Sequence, residues 1–179
     1  TGTFSAPAAY ATGTNPVFLA IADVNNNGTR DVLTANQSNT VSVLLGTASG
    51  TFAAPVNYAT GTTPQSIGIG DWNADGALDL AVASFGSNRI TLHRGTGTGT
   101  FVLPTGILIG STPGAIAVAD FNRDGRPDLV VTNRIFQGEV IVLLGAGSNS
   151  FTPLPGVRVG NFPADVAVGD FNADGKPDV

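Results

Sequence analysis

Apolar residues in this chain return at every second position in short bursts, and the bursts recur at spacings of 48, 49 and 50 residues. The first burst places Leu19 and Ile21, Ile67 and Ile69, Ile116 and Val118, and Val166 and Val168 on one face, with Ala or Gly on the other. This period of two predicts strands, and two apolar faces, one of them small, predict strands packed between neighbouring sheets. A second run follows at Val32-Leu33, Leu80-Ala81-Val82 and Leu129-Val130-Val131. A third alternates through Val41, Val43 and Leu45, through Ile90 and Leu92, and through Val140, Val142 and Leu144. A Gly-rich turn then ends in Phe52, Phe101 or Phe151, and a fourth extended stretch carries Tyr58, Ile107 or Val157; Phe4 and Tyr10 repeat that arrangement at the start. No helical period occurs anywhere.

Each unit is therefore four short strands, A to D, joined by turns. Helix-free units of roughly 40 to 50 residues predict an all-β fold of β-propeller blades, in which each four-stranded antiparallel blade buries its faces against the next. A β-helix is the main rival, but its repeats are much shorter. The expected organisation is one repeat array: residues 1–12 as the outer strand of a preceding blade, 13–60, 61–109 and 110–159 as complete blades, and 160–179 as the first strand and loop of a fourth. A Pro (Pro16, Pro64, Pro113, Pro163) and a Gly three residues before it mark each entry to strand A. About three and a half blades form a partial propeller, since a closed ring takes ~4 to 8.

Between strands A and B stands the pattern D-x-N-x-D/N-G-x-x-D, at Asp23–Asp31, Asp71–Asp79, Asp120–Asp128 and Asp170–Asp178. Oxygen donors on alternate residues, a Gly that takes a sharp bend and a backbone carbonyl at position 7 are what a hard cation in a tight loop requires. The candidate calcium ligands are Asp23, Asn25, Asn27, Thr29 and Asp31; Asp71, Asn73, Asp75, Ala77 and Asp79; Asp120, Asn122, Asp124, Arg126 and Asp128; and Asp170, Asn172, Asp174, Lys176 and Asp178. The seventh residue of each set serves through its carbonyl. Up to four Ca2+ ions are expected, the Asp23–Asp31 site being the weakest because Asn27 replaces a carboxylate. An EF-hand is excluded, since its twelfth position needs a Glu and here holds Thr34, Val82 or Val131.

Composition adds limits. With 42% hydrophobic and 12% charged residues the chain can bury a core. No apolar run reaches the ~18 residues of a membrane span, and no basic n-region followed by an apolar h-region marks a signal peptide in these residues. The chain opens without Met, in mid-pattern, as a mature or excised piece would. Absence of Cys removes disulfides, zinc thiolates and thiol chemistry. Only Glu139 and Asp165 lie outside the loops among the acidic residues, so the formal charge of −5 reports metal ligands; the eight positive charges of four divalent ions would turn it into +3. Lys and Arg are scattered, which argues against nucleic acid. Weak carboxylate sites suit the ~1 mM calcium outside cells, so an exported protein is expected.

The segments DWNADGALDLAVAS, DFNRDGRPDLVVTN and DFNADGKPDV, with the GTF turns at residues 50–52 and 99–101, resemble the FG-GAP or VCBS-type repeat of integrin α-subunit propellers, large exported bacterial proteins and some fungal sugar-binding propellers. The resemblance covers essentially the whole chain and implies calcium in the A–B loops. It also implies a non-catalytic binding or adhesion scaffold for protein or carbohydrate, extracellular or at the cell surface. The alternatives it leaves are a lectin or the accessory propeller of a larger exported hydrolase or lyase. Unpaired strands at both ends raise the possibility of a homo-oligomer that closes a ring.

Other candidates weigh less. Gly95-Thr-Gly-Thr-Gly-Thr lacks phosphate-loop spacing and is expected to be a hairpin turn. Trp72 shares its place with Val24, Phe121 and Phe171, so it is expected to anchor the core. His93 and Arg94 stand where other units have Leu44-Leu45 and Leu143-Leu144, and are expected at the surface of a strand end. Asn27 and Asn36 head glycosylation sequons. The B–C turns vary in length and content, as binding loops do, on the end opposite the metal loops.

Overall fold

The computed structural model describes residues 6–102 and 104–179, so Phe4 lies outside the described residues. Sheet 1 runs β1 (Pro16–Ala22), β2 (Asp31–Asn36), β3 (Thr40–Leu44) and β4 (Val56–Ala59). Sheet 2 runs β5 (Pro64–Gly70), β6 (Asp79–Ser84), β7 (Arg89–His93) and β8 (Thr105–Leu108). Sheet 3 holds β9 (Pro113–Ala119), β10 (Asp128–Asn133), β11 (Gly138–Gly147), β12 (Ser150–Pro153) and β13 (Val157–Gly160). Every pairing is antiparallel between chain neighbours, except that β13 returns past β12 to pair with β11. The architecture is all-β and fits a partial β-propeller.

Strand A begins at Pro16, Pro64 and Pro113, as its sequence marker predicts. Register slips at that point in all three sheets, because proline brings no N–H to the ladder. The sheets stack face to face. Leu33, Ala35, Val41 and Val43 of sheet 1 meet Ile67, Leu80 and Val82 of sheet 2 in one buried cluster. The other face of sheet 2, with Ala81, Ala83, Ile90 and Leu92, meets Ile116, Leu129, Val131 and Leu143 of sheet 3. Each buried aliphatic side chain contributes about 1.5 to 3 kcal/mol. The small face of β5 permits the closest approach: a Cβ on Gly68 would lie 2.7 Å from Ile116 Cγ2.

Turns segregate by end. The D–A connections join the B–C turns, as in Gly86 N–H to Thr62 carbonyl and Arg134 N–H to Thr112 carbonyl, each 2.9 Å. Asn39 and Asn88, both in left-handed conformation, accept from Thr63 and Thr112 of the next sheet at 3.0 Å. Asn36 is fully buried and bonded to Ser42, which removes its sequon from use.

Three expectations change. Residues 6–12 form no strand, because no C strand stands beside them, although Tyr10 meets Phe52 edge-on at 5.2 Å as Tyr58 meets Phe101 at 5.4 Å. In sheet 3, Ser148 and Asn149 both take positive φ, a tight hairpin turn that lets β11 run on into β12. Residues 163–168 form no strand; without a strand B to pair with, the segment keeps only the Gly169–Asp178 bridge.

Candidate metal-binding loops

The four loops share one hydrogen-bond plan. In the second, Asp71 Oδ1 and Asn73 Oδ1 both accept the Asp75 N–H, at 3.2 and 2.8 Å, and Asp71 Oδ2 accepts the Gly76 N–H at 2.8 Å. Asp75 Oδ1 in turn accepts the Ala77 N–H at 2.9 Å. Asp120, Asn122, Asp124 and Arg126 repeat this plan, as do Asp170, Asn172, Asp174 and Lys176. Asp23, Asn25, Asn27 and Thr29 do so with an amide in the fifth place, where Asn27 Oδ1 accepts the Thr29 N–H at 2.8 Å. The side-chain oxygens of positions 1 and 3 are thereby drawn around one N–H. Gly28, Gly76, Gly125 and Gly175 make the bend with φ between 76° and 83°.

Sequence reasoning missed position 4. Asn26, Ala74, Arg123 and Ala173 all adopt φ of 56° to 60°, and only Asn26 is a residue type that hints at it. From there Asn26 donates to the Gly76 carbonyl at 3.4 Å and Arg123 to the Gly175 carbonyl, linking one loop to the next.

The ninth position serves differently from positions 1, 3 and 5. Asp31, Asp79 and Asp128 are at most 1% exposed. Their Oδ2 atoms accept the N–H of Val24, Trp72 and Phe121 at 2.8, 3.2 and 2.8 Å. Their Oδ1 atoms accept the N–H of Gly46, Gly95 and Gly145 at 2.8, 2.8 and 2.7 Å. Each carboxylate thus clamps its A–B loop to the C–D turn of the same sheet. Asp178 keeps one half of the clamp, accepting from Phe171 at 2.9 Å. Among the described residues no three acidic or histidine side chains close on a common metal-sized point. Burial raises the Asp79 carboxyl above its ordinary 3.8 against the pull of its two backbone donors, and the Asp75 and Asp71 charges push it further the same way.

The donor set fits a hard cation. Two carboxylates and one amide oxygen per loop, two amides and one carboxylate in the first, crowd around a backbone turn, and the three Asp-rich loops carry like charges that a divalent ion would neutralise. The ninth carboxylates keep lone pairs free beyond their backbone bonds.

Trp72 is a core anchor, 3% exposed and edge-on to Phe151 at 5.7 Å. The Thr96, Thr98 and Thr100 hydroxyls bond one another across a hairpin turn, which disposes of the phosphate-loop reading. His93 is a correction: it is 1% exposed, and neither ring nitrogen has a hydrogen-bond partner. Leu44 and Leu143 are buried at the matching positions, and that was the signal available in the sequence. Arg94, next to it, is exposed as expected.

The sequence profile of the FG-GAP-like repeat matches residues 23–82 and 71–131. Two crystal structures of BBS1N in complex with ARL6DN, soaked with mercury and with lead, share the fold at TM-scores of 0.63 with 17% and 18% identity. They cover 94% and 96% of this chain, which spans 47% and 52% of theirs. No curated protein is significantly similar to the chain. Among the described residues no helix is long and apolar enough to cross a membrane.

Proposed function

The chain belongs to the FG-GAP-like repeat family, and from that premise we propose that it is a calcium-stabilised β-propeller segment that serves an exported protein as a non-catalytic scaffold for binding protein or carbohydrate. The observation that carries this reading is the fourfold loop plan, with first, third and fifth side chains gathered around a left-handed Gly turn. Asp71, Asn73 and Asp75 would hold one ion with the Ala77 carbonyl, and Asp79 would add its free lone pairs; the other loops follow the same scheme. Bound calcium supplies charge neutralisation and cross-linking of the loop, while the chain's own residues supply the turn and the clamp. A protein ligand accords with BBS1N having been crystallised with a protein partner.

Calcium is expected to raise Tm and EGTA to lower it. An ion bound only by the folded state adds about 2.7 kcal/mol per site at a hundredfold excess over its Kd. An unchanged melting curve in EGTA, from protein shown metal-free at the outset, sinks the calcium reading. Filling should begin at Asp71–Asp79 and Asp120–Asp128, and equal occupancy of the Asp23–Asp31 loop at limiting calcium contradicts the charge argument.

Three sheets and parts of two more fall short of a ring, which is the basis for reading this as about three and a half blades. On β1, Leu19 and Ile21 are 55% and 60% exposed, whereas Ile67 at the matching place in β5 is 4% exposed. The missing neighbour would be a further blade, from continued chain or from a second copy. Light scattering at high concentration with calcium is expected to show self-association of this segment; a well-folded monomer under those conditions excludes the second copy.

A further inference from the structure

The loops are joined to one another unevenly. At the junction of sheets 1 and 2, Asn26 donates to the Gly76 carbonyl at 3.4 Å. Beside it, Gly99 of the sheet 2 C–D turn donates its N–H to the Val24 carbonyl at 3.2 Å. Beyond sheet 3, Arg123 donates to the Gly175 carbonyl of the fourth loop. The junction of sheets 2 and 3 has neither bond. Position 4 there is Ala74, whose methyl carries no donor, and Asn149 stands where sheet 2 has Gly99. Among the described residues no hydrogen bond joins Asp71–Asp79 to Asp120–Asp128. A cavity of about 310 Å³ opens between these two loops, with Asn73, Ala74, Gly125 and Arg126 in its lining.

The Asn26 bond connects two runs of proposed ligands. Asn26 lies between Asn25 and Asn27 of the first loop, and Gly76 lies between Asp75 and Ala77 of the second. With φ of 56°, Asn26 sends its side chain out of its own loop and onto the next. An ion in the first loop would fix the backbone on both sides of Asn26 and so the aim of its amide. An ion in the second would fix the peptide that carries the Gly76 carbonyl. Whichever ion arrives first meets part of the ordering cost of the bond, and the other finds its end already in place. Repulsion between the ions opposes this, but it acts at every junction and is screened by salt. Arg123 repeats the contact while bringing a positive charge to the fourth loop, so the neutral Asn26 is the cleaner case.

We propose that Asn26 is a positioning residue that couples the first and second calcium loops, so that each ion strengthens the binding of the other, and that Ala74 leaves the second and third loops independent. The proposal rests on the calcium reading above and adds how its sites act on one another. Coupling gives the first loop, which has one carboxylate fewer, support from a stronger neighbour. The chain itself supplies the control residue, because Asn26 and Ala74 occupy the same place in their loops with φ of 56° and 59°. Asn26→Ala therefore copies a residue that the second loop already accommodates.

The test is an NMR titration of the metal-free chain with calcium chloride. Each loop has its own reporter in the amide of Gly28, Gly76, Gly125 or Gly175, whose N–H is bonded to the first carboxylate of that loop. Disabling the second loop with Asp75→Ala is expected to raise the calcium midpoint of Gly28 about threefold and to leave that of Gly125 in place. In the Asn26→Ala background the same change should no longer move Gly28. A bond that served stability alone would lower Tm in Asn26→Ala and leave the Gly28 response to Asp75→Ala intact. That outcome, a Gly28 midpoint indifferent to Asp75→Ala in the presence of Asn26, or a Gly125 midpoint that moves as far as Gly28, overturns the proposal. Four glycines silent to calcium would instead overturn the calcium reading itself, so the two failures are told apart in one experiment.

Discussion

Asp79→Ala is expected to lower the stability of the metal-free fold by about 3 kcal/mol, and by more in calcium, where the ion also loses a ligand. The substitution strands the buried N–H groups of Trp72 and Gly95, which have the Asp79 carboxylate as acceptor. Each unsatisfied buried donor costs about 1 to 3 kcal/mol. Loss of the charge also removes the burial penalty that holds this carboxyl above its usual range, which offsets part of the cost. Asp75→Ala gives the contrast: its side chain is exposed and bonds only within its own turn, so it should remove the calcium-dependent stabilisation and little else. Urea unfolding of both variants in EGTA distinguishes the roles. Equal losses for the two under metal-free conditions would mean that the ninth position does not act as a clamp.

His93→Leu is expected to stabilise the chain by about 1 to 2 kcal/mol at neutral pH and to flatten its acid sensitivity. Both ring nitrogens of His93 are buried without partners, and the neighbouring sheets use Leu at that place. Burial lowers its pKa from 6.5 to about 4. The unfolded chain therefore takes up a proton as pH falls through 6.5, while the folded chain resists until about 4. Stability from this group is fully present above the unfolded value, declines through that window and levels off below it, for a loss of about 3 kcal/mol. Urea midpoints from pH 7.5 to 4.5 should fall more steeply in wild type than in the variant. Parallel profiles would show that His93 finds partners that the structure does not give it.

Strand positions were legible because each rested on three or four aligned copies. Proline marked the start of β1, β5 and β9, and the period of two placed the faces that form both core clusters. The loop glycines were legible for the same reason, since only a left-handed bend explains a Gly at a fixed place in every copy. The clamp was not. An Asp in an acidic loop reads as a ligand, and its backbone partners at Gly46, Gly95 and Gly145 lie 15, 16 and 17 residues away in sequence. His93 was misjudged because a charged neighbour and a following glycine turn outweighed the buried Leu44 and Leu143 that share its register.

The bare face of β5 has a consequence for the size of the ring. Sheet 1 and sheet 3 carry Ala20 and Ala117 where β5 carries Gly68, and the missing methyl lets Ile116 come to within van der Waals reach of the β5 backbone. Near the axis, a few tenths of an ångström between inner strands become a change of angle between successive sheets. By this argument glycine there would tighten the wedge and alanine open it. In the proposed propeller, the number of units that completes a circle would depend partly on which inner-strand positions lack a Cβ, so that exchanging alanine and glycine along strand A would tune its curvature while leaving each sheet intact.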